Sequence, residues 1–261
     1  MKLHIRQHPK SHSWVLILIF CLCSTSLYSQ ITEVDYMKVK GDVDEYLQVE
    51  QEWKKVHQKR LEQEKIYAWY LVRSHFGGTQ SEYDYMTVTV YPTMGSIESE
   101  YPEELFQGLD QDVLDKTQST RDLVKTEIYD TPIILEITNL PQYLNMQFMK
   151  VEQGNDEAYL TVEDEIWKPA HAERKKMGIL TTWSIYRQLY PGAYGGEYNY
   201  VVVNGYADRK KVTTGPAEGW EEFLQKIHPD GKPTEMMNRT LETRVFIKNE
   251  LWELIEIVAP Q

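Results

Sequence analysis

Two stretches of this chain repeat one another, and that repeat narrows the possible folds more than any single motif does. The segment Asp44–His57 recurs as Asp156–His171. From Trp53–Arg73 against Trp167–Arg187 the register is ungapped, and Trp53/Trp167, Lys54/Lys168, His57/His171, Arg60/Arg174, Trp69/Trp183 and Arg73/Arg187 coincide. Further on, Glu82-Tyr-Asp-Tyr85 returns as Glu197-Tyr-Asn-Tyr200. Two tryptophans, two arginines and a histidine matching in order mark a duplication, which divides the chain near Leu140-Pro141.

Each half reads as the same series of elements. Stretches 33–39 and 143–151 alternate as strands do, whereas 44–64 and 156–177 carry apolar or aromatic residues at helical spacing. In the first helix Tyr46, Val49, Trp53, Val56 and Arg60 form one stripe, with Glu50 and His57 along its edge. Pro169 is expected to bend the second helix or shift its start. Strands follow at 66–74 and 179–188, then at 83–91 and 198–206. Weaker helical regions lie at 102–116 and 217–227, and apolar strands at 126–137 and 243–257 close the halves. The order is β-α-β-β-α-β, the ferredoxin-like split unit. Its antiparallel sheet has helices on one face only, and a bare face rich in Tyr, Val and Trp must be covered. A second copy is the obvious cover. The expected fold class is therefore α+β, with two tandem ferredoxin-like repeats, residues 30–139 and 140–261, whose sheets join into a pseudo-dimeric α/β barrel.

Residues 1–29 read as an address rather than as fold. Lys2, Arg6 and Lys10 precede the apolar run Trp14–Cys23 and a small polar stretch, the pattern of a secretory signal peptide. The run is too short for a lasting membrane span. Cleavage after Ser29 would start the chain at Gln30 and place it in the periplasm or outside the cell, free of the membrane. Both cysteines, Cys21 and Cys23, lie in this segment, so the remainder has no disulfide, thiolate metal site or cysteine nucleophile. No metal site is expected. A net charge of −12, moving to −15 without the three basic residues, argues against nucleic acid as a partner.

With this element order and duplication, the chain resembles the dimeric α/β-barrel superfamily in the form that carries two copies per chain, and among its members secreted bacterial proteins without an assigned reaction. The resemblance implies a range of activities: small monooxygenases that need no cofactor, haem-degrading enzymes and chlorite-dismutase-like haem proteins. It also implies a ligand cleft between helix and sheet, and in several members a helix histidine that ligates haem. Only His57 and His171 match that feature here.

The Glu/Trp/His stripe is the candidate site. Trp53, Trp69, Trp167 and Trp183 would supply apolar walls, His57 and His171 a proton or a ligand, and Arg73 and Arg187 a seat for a carboxylate. The opposing reading is packing, with tryptophan filling the helix–sheet interface and arginine pairing with a helix acid. The second copy, with Pro169 and the glycine-rich loop 191–196, is expected to be the more open, which puts His171, Trp167, Trp183 and Arg187 first. The alternating pairs Tyr83/Tyr85 and Tyr198/Tyr200 are each expected to point to one face. No nucleophile elbow, Walker sequence, HExxH or EF-hand loop occurs. Function narrows to three classes: a non-catalytic binder of a small apolar or aromatic ligand with no cofactor; a haem-binding or cofactor-independent oxygenase-type enzyme; and a structural or partner-binding protein with a filled cleft. No catalytic residue is assigned, and the protein is expected to be a monomer or a homodimer.

Overall fold

A computed structural model describes residues 30–260 apart from Thr79, Ser99, Thr138 and Ala193, so the expected signal peptide lies outside the described residues. No described helix is long and apolar enough to cross a membrane. The first half runs β1 (Ile31–Val39), α1 (Val43–Glu62), β2 (Ala68–Ser74), β3 (Tyr85–Tyr91), the short helices α2 (Gln111–Leu114) and α3 (Thr117–Thr120), and β4 (Arg121–Leu135). The second runs β5 (Tyr143–Lys150), α4 (Asp156–Val162), α5 (Lys168–Lys176), β6 (Thr182–Tyr190), β7 (Tyr200–Tyr206), α6 (Trp220–Ile227), α7 (Pro233–Thr243) and β8 (Val245–Val258).

All strand pairings are antiparallel, and they close an eight-stranded barrel in the order β1-β3-β2-β8-β5-β7-β6-β4. The halves meet edge to edge: β2 pairs with β8 and β4 with β6. Closure leaves no free sheet edge and turns the two bare faces into a lumen lined by Val34, Tyr36, Val72, Met86, Phe148 and Val201. The opposite faces carry the helices, over one apolar core in each half. Either half alone would expose both an apolar face and two unpaired edges. Residues 30–139 expressed alone are therefore expected to elute from size exclusion as a dimer or larger assembly; a stable monomer would contradict this.

The second helix departs from the first at one place. Between α4 and α5 lies a π-helical turn, Glu163–Trp167, with Pro169 two residues beyond its end. The copies are offset by 113 residues from Tyr46/Tyr159 to Glu50/Glu163 and by 114 from Trp53/Trp167 onward. The turn thus absorbs one inserted residue without moving glutamate or tryptophan out of register, the usual origin of a π-bulge.

The expectation for the tyrosine pairs fails. Tyr83 and Tyr198 belong to the lumen, whereas Tyr85 and Tyr200 face the helices. The cause is a bulge. Asp84 and Tyr85 both stand opposite Met37, and Asn199 and Tyr200 both stand opposite Met149, which reverses the alternation. The side chains of Asp84 and Asn199 accept from Val39 N and Val151 N in compensation.

One end of the lumen is sealed by polar groups in a two-fold pattern. Glu127 accepts from Lys125, Tyr129, Gln188 and Tyr198, and Glu250 accepts from Tyr83 and Trp252 with Lys248 beside it.

Candidate functional site

Each half holds a cleft between its helix and the outer face of its sheet. In the second half, Glu163, Trp167, His171 and Arg174 project from the helix toward Asn145 and Gln147 on β5 and Val202, Asn204 and Tyr206 on β7. Residues 212–215 and Trp220 form the side wall, and Arg244 closes one end. The volume is about 330 Å³. In the first half, Glu50, Trp53 and His57 face Glu33, Asp35, Thr87 and Thr89, with Glu98 and Tyr101 at the side and Arg121 at the end, around about 150 Å³.

The same framework holds both. A buried glutamate on the helix pairs with an arginine at the start of the last strand: Glu50 with Arg121, and Glu163 with Arg244. The indole of Trp53 donates to Thr117 Oγ1 at 2.9 Å, and that of Trp167 to Thr240 Oγ1 at 3.0 Å. His57 stacks on Trp69 and His171 on Trp183, with ring centroids 4.9 Å apart in each case. One helical turn on from each histidine, an arginine donates to its Nδ1: Arg60 at 3.1 Å and Arg174 at 3.2 Å.

These contacts fix the state of both imidazoles. Burial, and then the neighbouring guanidinium, lower His57 well below its ordinary range and His171 to about 3. Both are neutral at pH 7. A guanidinium only donates, so Nδ1 is the accepting nitrogen and Nε2 carries the proton. His171 therefore offers its cleft an N–H donor. The same tautomer does not fit haem, because iron ligation through Nε2 needs a lone pair there and a proton on Nδ1. No group of histidine, cysteine, aspartate or glutamate side chains suited to a metal ion occurs among the described residues.

The low value has a measurable consequence. Below about pH 6.5 the unfolded chain binds a proton that folded His171 refuses down to about 3. The stability this group contributes is complete above about pH 6.5. It is lost as pH falls toward 3, at up to about 1.4 kcal/mol per pH unit. Urea unfolding at pH 7 and pH 5 is expected to show a shallower loss in His171→Phe than in the unsubstituted protein; equal slopes would mean that His171 is protonated in the fold.

Other expected site residues are placed apart. Arg187 pairs with Asp130 at 2.5 Å, and Arg73 with Glu253 at 2.7 Å, both across the seams between halves. Neither lines a cleft. Trp69 lines the smaller cleft, but Trp183 is wholly buried beneath His171 and does not line the larger. The described residues of the loop at 191–196 do not border the larger cleft, whose side wall is Thr213–Gly215 and Trp220.

What separates the clefts is charge. In the first, Arg60 has Glu98 at 3.4 Å and is covered by the Tyr101 ring at 4.3 Å, and Glu33 and Asp35 lie on the sheet. Burial raises Asp35 to about 6. In the second, the residues at the positions of Glu33 and Asp35 are the amides Asn145 and Gln147. Glu163 is taken by Arg244. Arg174, 5% exposed, has no carboxylate within ion-pair distance among the described residues, and its Nε has no hydrogen-bond partner. The larger cleft is thus left with one uncompensated cation.

No family model and no curated protein matches the chain. Solved structures do share its fold. One, described as a "putative monooxygenase" from Lactobacillus acidophilus, is 11% identical, covering 88% of this chain and 96% of its own, with a TM-score of 0.50. An "anthrone oxidase-like protein" is 10% identical over 88% and 93%, with a TM-score of 0.51. A second "putative monooxygenase", from Fusobacterium nucleatum, is 10% identical over 89% and 95%, with a TM-score of 0.50. At such identities the likeness concerns the fold alone.

Proposed function

We propose that this protein binds a small anionic, oxygen-bearing planar molecule, a phenolate or an aromatic carboxylate, in the cleft of its second half. The observation that carries the reading is Arg174. Its first-half counterpart meets Glu98, while Arg174 stands beside the cleft without a carboxylate partner among the described residues. Burying a lone cation is costly, and an anionic ligand would remove the cost. His171 Nε2–H would donate to a second oxygen, Asn145, Gln147 and Asn204 would bond polar substituents, and Trp167 and Trp220 would cover the ring. The ligand is therefore charged and polar at one edge rather than purely apolar. The N-terminal basic and apolar segment supports export, so the ligand would be met outside the cytoplasm.

The fold neighbours favour a second, catalytic form of this reading. Two are named as monooxygenases and one as anthrone-oxidase-like, and a site that stabilises a phenolate or enolate would suit an electron-rich substrate for oxygen without haem ligated by His171. Titration calorimetry with benzoate and neutral benzamide tests the binding reading. Benzoate is expected to bind at least roughly tenfold more tightly, and Arg174→Gln and His171→Ala to weaken it, whereas Arg60→Gln leaves it unchanged. Equal affinity for benzoate and benzamide would overturn the assignment. An oxygen electrode with anthrone as probe separates enzyme from binder.

A further inference from the structure

The barrel's two ends are unlike. One is plugged by Glu127, Glu250 and their tyrosine, tryptophan and lysine partners. At the other the lumen stays open as a cavity of about 420 Å³, on the face of the sheet opposite the helix clefts. A smaller cavity of about 70 Å³ continues it inward, and Thr32, Val88, Leu144, Tyr186 and Val203 line both. This size falls in the range of small-molecule sites.

We infer that this open lumen is a second binding site, for a neutral amphiphile with an aliphatic body and one hydroxyl or carbonyl, such as a long-chain alcohol. The walls are aliphatic, from Val72, Val88, Val90, Leu144, Val203 and Leu254. The rim is apolar and exposed: Tyr67, Ile134, Ile137 and Leu140 are 45–52% accessible. A patch of that kind around a cavity mouth marks a binding surface more often than a solvated one. Polar groups inside are few and uncharged. Tyr70 and Tyr186 face one another, and burial holds both phenols protonated, Tyr70 up to about 12. Ser184 lies beside Tyr186, and Tyr70 has no hydrogen-bond partner among the described residues, so its hydroxyl is available to a ligand oxygen.

Charge decides the ligand class. Glu136 carries the one charged side chain along the cavity among the described residues; neither lysine nor arginine lines it. A fatty carboxylate drawn down to Tyr70 would be buried with no cationic side chain beside it, an arrangement that disfavours binding, whereas an alcohol meets no such cost. The two sites thus take opposite chemistry: an anion on the outer face of the sheet and a neutral chain inside the barrel.

Displacement of the neutral dye N-phenylnaphthylamine from the purified protein reads the site. Decanol is expected to displace it at concentrations at least roughly tenfold below those needed for decanoate. Val88→Phe and Val203→Phe, each placing a ring in the lumen, are expected to weaken decanol at least tenfold while cooperative melting persists. A diazirine-bearing decanol on the unsubstituted protein gives a readout independent of those variants, with crosslinks expected in peptides from β2, β3 and β6. Crosslinks at Trp167, His171 or Trp220, equal potency of decanol and decanoate, or no dye binding would each overturn the inference. Failure of benzoate to bind the helix cleft would leave these outcomes unchanged, so the two assignments fail separately.

Discussion

Replacing Arg244 by methionine is expected to cost about 3–5 kcal/mol of folding stability at neutral pH, the range for breaking a buried ion pair from one side. The partner, Glu163, is 1% exposed and lies under the helix between the π-helical turn and the sheet. Without Arg244 its carboxylate has no compensating cation on the strand end, and methionine fills the volume without supplying a donor. Urea unfolding measures the loss. The double variant Glu163→Gln/Arg244→Met is expected to regain much of it, because the charge that made the break costly is gone. Arg121→Met is expected to behave alike, since Glu50 is also 1% exposed. A loss below about 1 kcal/mol for Arg244→Met would mean that water entering from the larger cleft solvates the carboxylate.

Trp183→Ala is expected to cost a comparable amount, about 3–5 kcal/mol, as large-to-small changes at wholly buried aromatics do. Trp183 has no exposed surface, belongs to the core beneath the second helix and stacks against His171. Alanine would leave a void and free the imidazole to turn. Trp183→Phe is expected to cost much less, because the buried Nε1–H of Trp183 has no acceptor and phenylalanine removes that orphan donor. Thermal and urea unfolding of the two variants check the contrast. Near-equal losses would mean that the indole N–H is satisfied in solution.

Much of the architecture was written locally. Alternation and helical stripes located the strands and the long helices, and the repeated tryptophans and histidines identified equivalent positions. The tyrosine pairs were misread because a bulge at Asp84 or Asn199 depends on pairing with Met37 or Met149, which no short window contains. The arginines show the same limit. Arg60 and Arg174 lie three residues beyond their histidines, and on a helix that spacing places them together. Arg73 and Arg187 are repeated just as clearly, but whether a strand-end arginine reaches a cleft or a seam is set by cross-strand neighbours. Arg121 and Arg244 carried no local signal. They reach Glu50 and Glu163 because the last strand of each half begins beside the helix. The charge difference between the clefts was legible in principle: aligning the copies sets Glu33 and Asp35 against Asn145 and Gln147.

Seven residues, 136–142, carry the chain from β4 to β5, and each half completes the other's sheet at two edges. Were the halves separate molecules, barrel closure would be a bimolecular event, and thinning the solution would pull it apart. A short tether holds the second half at an effective concentration on the order of millimolar around the first. Closure then proceeds with first-order kinetics at any abundance, and the barrel withstands dilution into a large external volume. The tether also lets the two copies diverge, since a change in one is no longer imposed on its mate. One cleft can keep Glu98 against its arginine, while in the other Arg174 meets no carboxylate among the described residues and holds only neutral partners, His171 and the Thr214 carbonyl.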